Sequence, residues 1–383
     1  MNTGDTDSII MKMTPSSTRD DQALKIAPTL IRWQRSAGRN HLPWQNTADP
    51  YRIWLSEIML QQTQVATVIP YYQRFLERFP DVISLAHGSL DEVMALWAGL
   101  GYYSRAKNLH ACAKRIEQDW QGSFPPDSRS LETLPGIGRS TAAAIAAFCY
   151  GERAAILDGN VRRVFCRFFG IEGDPGSRQT LLELWALAEL ALPSSSFIET
   201  QPDGMRRYTQ GLMDLGATVC TRSRPDCQSC PLRTDCTAVA TGRTDSLPTP
   251  KKRKIRHEKD VHVLLMTWQN AVYLHRRPDK GIWANLWSLP DAPTEPDLKK
   301  VLTTLADKIV PRLEPMAAFS HELTHFRMVI RPWRASLPDD AALPALTNTD
   351  REQWVKLEEL GRYGIPAAIR PLIEGITQTC HFS

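Results

Sequence analysis

No apolar run in this 383-residue chain approaches the ~20 residues that a helix needs to span a bilayer, which excludes a helical membrane protein. The first twenty or so residues lack the continuous apolar stretch and small-residue cleavage site of a secretory signal, although Ile9, Ile10 and Met11 are apolar. A cytoplasmic protein with no membrane association is therefore expected, residues 1–22 forming a disordered tail. Without export, the eight cysteines are expected as thiols or metal ligands and not as a disulfide framework. A strong charge excess is missing too. Forty-six Lys and Arg against 42 Asp and Glu leave +4, so any acidic partner must be recognised by local clustering. Repeats and low-complexity segments are absent.

Period-2 alternation is also missing from Ala23 to about Gly216, where amphipathic helices alternate with Gly or Pro breaks, among them Pro43, Pro50, Pro70, Pro80, Pro125 and Pro126. An all-α domain over residues 23–240 is expected. From Thr241 to Asp260 the chain turns to Thr, Pro, Lys and Arg and reads as a linker; its basic run Lys251 to Arg256 is either solvated or a phosphate contact. Beyond it, Val261–Trp268, the turn Gln269-Asn270 and Ala271–His275 read as a hairpin, Arg327–Trp333 as a further strand and Ile365–Ile373 as a closing helix. Residues 261–383 are thus expected to be an α+β domain.

Four cysteines are crowded as Cys220-x6-Cys227-x2-Cys230-x5-Cys236. Structural zinc sites usually pair two Cys-x2-Cys units, and here there is one such pair with two flanking cysteines, a pattern that favours an iron-sulfur cluster while leaving zinc open. Cys112, Cys149, Cys166 and Cys380 read as ordinary thiols. Leu134 to Thr141 is a glycine turn feeding an alanine-rich helix, in which Gly136 and Gly138 allow backbone amides to approach an anion at the helix start; a plain helix-helix turn is the alternative. Asp158 precedes a helical run and reads as an N-cap. Glu57, at helical spacing, has Ile53, Trp54, Leu60, Gln61 and Gln64 on its face, a setting expected to raise its pKa; a solvated mid-helix glutamate is the ordinary alternative.

The cysteine spacing after a helical domain resembles the endonuclease III superfamily of base-excision glycosylases, whose members bind a [4Fe-4S] cluster there and grip DNA through a helix-hairpin-helix. By that resemblance the cluster is structural and Arg222, Arg224 and Arg233 are available to phosphates. The segments Leu42–Gln45, Trp54–Gln64, Gly99–Arg105 and Met213–Ala217 more closely resemble the adenine DNA glycosylase (MutY) family. That likeness implies a monofunctional enzyme that removes adenine opposite 8-oxoguanine or guanine in double-stranded DNA, as a monomer associated with the nucleoid. It implies that Glu57 protonates the flipped adenine and activates water, that Asp158 stabilises the cationic sugar, and that Asn160 supports Asp158. Gln62 and Tyr102 fall on positions that enter the duplex, although Tyr102 also suits a core.

Bifunctional relatives place a lysine where this chain has Ser140 on the hairpin helix, so strand cleavage is not expected; other family members have tyrosine there. The region 261–373 is similar to the family's Nudix-like domain, but no Gly-x5-Glu-x7-Arg-Glu-x2-Glu-Glu box follows Trp287–Pro290, which implies recognition of the lesion and not hydrolysis of nucleotides. Leu323-Thr324-His325 stands where the family typically has Phe-Ser-His, leaving Thr324 and His325 as candidate lesion contacts or as a polar turn. A bifunctional lyase, a non-catalytic damage-binding module and a nucleotide hydrolase are the rival readings.

Overall fold

The computed structural model describes residues 17–250, 257–306, 311–323, 325–338 and 349–379. They form two compact units, with described residues 17–54, 125–133 and 137–250 in one and 55–124, 134–136 and those from 257 onward in the other.

The first unit is helical. It begins with α1 (Ser17–Ala37) and takes in the start of α2 (Pro50–Leu60). It resumes with α7 (Ser128–Leu131), α8 (Arg139–Tyr150), α9 (Gly159–Phe168), α10 (Arg178–Leu190), α11 (Ser195–Thr200), α12 (Gly204–Asp214) and α13 (Thr237–Ala240). Leu30 of α1, Phe165 and Phe168 of α9 and Tyr208 and Leu212 of α12 meet in one apolar core. Gly211 makes the α1 crossing close, since a Cβ there would stand 3.3 Å from the Leu30 carbonyl oxygen. Where α12 ends and a π-helical turn (Leu215–Val219) follows, the fully buried Asp214 accepts hydrogen bonds from Arg39 N at 2.9 Å and Arg39 Nε at 2.7 Å. Such a pair fixes geometry more than it stabilises, but removing one partner strands a charge.

Two boundaries differ from the sequence reading. Helix α1 starts at Ser17, six residues inside the expected tail, because Gln22 and Lys25 are engaged by the 235–237 region: Gln22 Nε2 donates to Asp235 O at 2.9 Å and Lys25 pairs with Asp235 at 2.7 Å. Residues 241–250 are also packed, with Leu247 buried and its carbonyl, like that of Thr244, bonded to Arg167 Nε. The basic run 251–256 lies outside the described residues.

In the second unit, α3 (Val65–Arg78), α4 (Val82–His87), α5 (Leu90–Trp97) and α6 (Ser104–Trp120) precede a mixed sheet. Asp81 and Ser89 start α4 and α5 with capping boxes. Pro70, expected as a break, lies inside α3; the helix runs on because Val68, Tyr72 and Phe75 bury one face, and tertiary packing outweighs local propensity. Phe75 meets Trp97 edge-on at 6.3 Å.

The sheet is built on β1 (His257–Trp268), which runs antiparallel to β2 (Ala271–Arg276) across the Gln269-Asn270 turn and parallel to β7 (Phe326–Ser336). β3 (Trp287–Ser288) and β8 (Glu352–Lys356) pair with β2, β4 (Asp291–Ala292) pairs with β1, and β5 (Glu314–Pro315) and β6 (Phe319–Glu322) pair with β7. Alternation assigns Val261, Val263 and Leu265 to the face packed on Ile369 and Ile373, and Leu264 and Met266 to the face packed on α14 (Glu295–Ala306). With both faces covered, the strand reads as a continuous apolar run. The closing helix α15 spans Arg370–Thr379, later than the expected Ile365–Ile373: Pro366 disfavours helix at Ile365, whereas Pro371 suits the first turn. The expected all-α and α+β classes are both observed.

Candidate active site

Helix α2 is started by Asp49, whose side chain accepts from Tyr51 N at 2.9 Å, with Pro50 in the first position, where no N–H is needed. Glu57 stands in its last turn, half-buried between the buried Ser56 and Ile58. The helix stops at Leu60 instead of continuing to Gln64, so Gln61 and Gln64 do not share Glu57's helical face. Arg105 is the reason: its Nη1 takes the carbonyls of Ile58 at 2.9 Å and Met59 at 2.8 Å, which a longer helix would have used internally.

Gln62, just beyond, is exposed and left-handed, with φ 59°. Tyr102 is its counterpart on the loop before α6, 45% exposed at φ 49°. Gly99 gives that loop its shape at φ 104°, and a Cβ there would fall 2.2 Å from the Tyr71 hydroxyl, which itself donates to Ala98 O at 2.8 Å. The adjacent tyrosine is different: Tyr103 is half-buried and its hydroxyl accepts from Gly99 N.

The hairpin begins at Asp127, which caps α7 through Ser130 N at 2.8 Å. Gly136 has φ 77° and lies against Asn108, where a Cβ would stand 2.7 Å from the Asn108 Cβ. Gly138, the N-cap of α8, has ordinary φ and open space around it. Its value is therefore access to the helix start rather than conformational freedom. Ser140, in the first turn, accepts from Leu157 N at 3.0 Å and so ties α8 to the segment that delivers Asp158.

Asp158 caps α9 by accepting from Val161 N at 2.7 Å. Burial raises its carboxyl above the ordinary aspartate range, opposed by the Val161 and Asn160 amides and by Arg162 and Arg163. The cap and the desolvated anion are the same group. Asn160 presents its Oδ1 to Arg163 Nη2 at 2.8 Å and packs on Gly216, which has no room for a Cβ. Arg163 continues to Gly216 O at 2.6 Å and Cys220 O at 2.8 Å.

Cys220, Cys227, Cys230 and Cys236 line one pocket with Val164, Phe168, Leu215 and Leu232. Among the described residues, no group of three or more His, Cys, Asp or Glu side chains is drawn together around a single metal ion. Four cysteine thiols lining one apolar hollow are a donor set of the kind that holds an iron-sulfur cluster. Burial pushes the Cys230 thiol up to about 12 and raises Cys227 and Cys236, so ionising them as ligands would require the positive charge of a bound metal group. Arg167, buried on α9, donates to Cys220 Sγ at 3.3 Å and holds the loop through Thr221 O at 2.6 Å and Arg222 O at 3.1 Å. Of the other thiols, Cys112 and Cys166 are buried and Cys380 lies outside the described residues.

In the sheet domain, Leu323 is half-buried at the end of β6, its N–H on Phe326 O at 3.0 Å, and His325 is exposed. Thr324 lies outside the described residues. A literal Phe-Ser-His run, Phe319-Ser320-His321, was missed in the sequence. It lies within β6, paired with Ile330 to Met328, and His321 meets Trp283 at 5.9 Å. Arg105, Arg163 and Arg167 were also missed. The available signal was an arginine on a stripe of buried positions, as with Arg105, Leu109, Cys112 and Ile116 on α6.

Residues 55–189 match the family described as HhH-GPD superfamily base excision DNA repair protein, and residues 262–375 match the NUDIX domain. The chain is 34% identical to the adenine DNA glycosylase of Buchnera aphidicola subsp. Schizaphis graminum over 90% of its own length and 96% of the relative's. It is 30% identical to the adenine DNA glycosylase of Homo sapiens, over 89% of this chain and 72% of that protein. Among solved structures, a thermostable thymine-DNA glycosylase superposes with a TM-score of 0.51 at 27% identity, over 58% of this chain and 98% of the other. Likeness over nearly the whole length, through the helical and the Nudix-like regions alike, places this chain in the adenine DNA glycosylase family, hydrolases that cleave the N-glycosidic bond of adenine in DNA.

Proposed function

We propose that this enzyme excises adenine lying opposite 8-oxoguanine or guanine and leaves the strand uncut. Adenine is a poor leaving group as an anion, so an acid must protonate it, at N7, while C1′ acquires positive charge. Glu57 is the acid, and it later takes a proton from the attacking water. Asp158 stabilises the C1′ cation, alone or by transient capture, and Asn160 keeps the Arg163 cation engaged beside it. The observation that carries this reading is the Asp158 carboxylate: burial opposes its charge, and the α9 amides hold it in place. A cation forming beside it relieves that desolvation, which favours the transition state over the resting protein.

Ser140 supports a hydrolase over a lyase, because its hydroxyl is engaged with Leu157 N and supplies no amine for an imine. Gly136 and Gly138 present the start of α8 to phosphate, while Gln62 and Tyr102 enter the duplex as the adenine leaves the stack. Thr324 and His325 contact the lesion from the Nudix-like domain. Cys220, Cys227, Cys230 and Cys236 hold a [4Fe-4S] cluster, which supplies structural cross-linking to a reaction that transfers no electrons. The glycosylase domain begins with α1 and runs on through the packed residues 241–250, and the lesion-recognition domain starts with β1; the enzyme works as a monomer on DNA in the cytoplasm. The test is a duplex panel with adenine opposite 8-oxoguanine, guanine, cytosine and thymine, with and without alkali. Release from the first two, with breaks only after alkali, is expected. Equal release opposite thymine, or borohydride trapping of an imine, overturns the reading.

A further inference from the structure

Arg105 has no role in the chemistry above, yet it is one of the most heavily engaged side chains in its unit. It sits in the first turn of α6, 8% exposed, on the stripe that continues through Leu109, Cys112 and Ile116. A cation on an apolar stripe is expensive to desolvate, and burial lowers its pKa to about 10, which still leaves it charged at neutral pH. Its compensation comes from oxygens of three separate segments. Nη1 takes Ile58 O and Met59 O, at 2.9 and 2.8 Å, at the end of α2. Nη2 takes Thr63 Oγ1, Leu100 O and Gly101 O, each at 3.1 Å. Its guanidinium carbon stands 5.3 Å from the Trp97 ring centroid and 5.7 Å from that of Tyr102.

The segments so joined carry two exposed left-handed side chains. Thr63 follows Gln62, and Leu100 and Gly101 precede Tyr102. A non-glycine residue with positive φ is strained and persists only where its surroundings over-determine it. The surroundings common to both are one guanidinium. We propose that Arg105 is a positioning residue that locks the Gln62 and Tyr102 loops in one arrangement before DNA arrives, fixing with them the last turn of α2 that carries Glu57. The inference rests on the reading of Gln62 and Tyr102 as duplex-entering residues. Preorganisation of this kind lowers the ordering cost of base extrusion, because both loops are already in the shape that the opened duplex requires.

A double-mutant cycle tests it, with single-turnover adenine release as one readout and the fluorescence of 2-aminopurine beside the target adenine as the other. Arg105→Lys keeps the charge but offers its donors from a single nitrogen, which cannot reach five oxygens on three segments. It is expected to slow release about 100-fold and to weaken the extrusion signal. The Tyr102→Ala,Arg105→Lys protein is expected to be slower than Tyr102→Ala by far less than 100-fold, since only the Gln62 loop and the Glu57 turn are then left for Arg105 to position. Losses that multiply, or an Arg105→Lys protein with the wild-type extrusion signal, overturn the proposal. Thr63→Val, which removes a single acceptor, carries the same cycle should Arg105→Lys fail to fold. Running the cycle with adenine opposite guanine as well as 8-oxoguanine keeps it readable even if the lesion assignment is wrong, so the two failures remain distinguishable.

Discussion

The two helices that carry the proposed carboxylates are finished in opposite ways. Helix α9 begins on its own residue: Asp158 caps it, and the group that starts the helix is also the one assigned to the chemistry. Helix α2 ends on a borrowed one, since the Ile58 and Met59 carbonyls are satisfied by Arg105, more than forty residues further on. Self-capped geometry survives wherever the local chain folds. Borrowed geometry exists only when the tertiary structure is complete, and it can hold several loops at once.

The largest expected effect tests whether the borrowed end carries the acid. Glu57→Gln should reduce adenine release by roughly 1,000-fold, within the range for a lost general acid, while duplex binding in a gel-shift assay stays within a few-fold of wild type. Release at the wild-type rate removes Glu57 from the mechanism.

At the self-capped end, Asp158→Asn should cost about 100-fold or more in release yet raise Tm at neutral pH. The folded pKa of Asp158 lies above its unfolded value, so the neutral form favours the fold. That contribution is fully present below the ordinary aspartate pKa of about 4 and is lost as pH rises through the raised value; at neutral pH the ionised carboxylate opposes folding. Asparagine caps equally well without the charge. The thermal gain should therefore shrink as pH falls toward 4, and an unchanged gain would show that desolvation of Asp158 is not its source.

Arg167 is the second borrowed restraint, on the cysteine loop. Arg167→Met leaves the Thr221, Arg222, Thr244 and Leu247 carbonyls without this donor. At about 1–3 kcal/mol for each unsatisfied group, iron content after gel filtration and Tm should both fall. Full iron at unchanged Tm would mean that the cysteine loop stands without its arginine. The smallest effect belongs to Tyr103→Phe, which removes the hydroxyl from the Gly99 N, at 3.4 Å, and from the Ala367 backbone. A loss of about 0.5–1 kcal/mol in urea unfolding is expected, with adenine release unchanged. A large drop in release would move Tyr103 from packing into the wedge.

Much of the fold was legible because it is periodic. The β1–β2 hairpin follows from alternating apolar residues around Gln269-Asn270, and the strand at Arg327–Trp333 is observed within β7. Errors fell where a distant partner outweighed the local signal. Pro70 did not break α3 because Val68, Tyr72 and Phe75 had a core to enter, and Gln61 and Gln64 left Glu57's face because Arg105 ended the helix. Residues 241–250 looked too polar to pack, but Arg167 reached their carbonyls, which no side-chain pattern displays.

By itself the sequence determined what depends on neighbours in the chain: helix starts at Asp49, Asp81, Ser89 and Asp158, the glycine turn before α8, and the cysteine spacing. These rest on hydrogen bonds and φ angles within a few residues, so residue type and order suffice. Only the tertiary structure decided where α2 stops, how the Gln62 and Tyr102 loops are joined, and that the Asp158 carboxyl is desolvated. Each of those depends on burial and on oxygens contributed by remote segments, and an arginine or an aspartate is written the same way whether it faces water or a core.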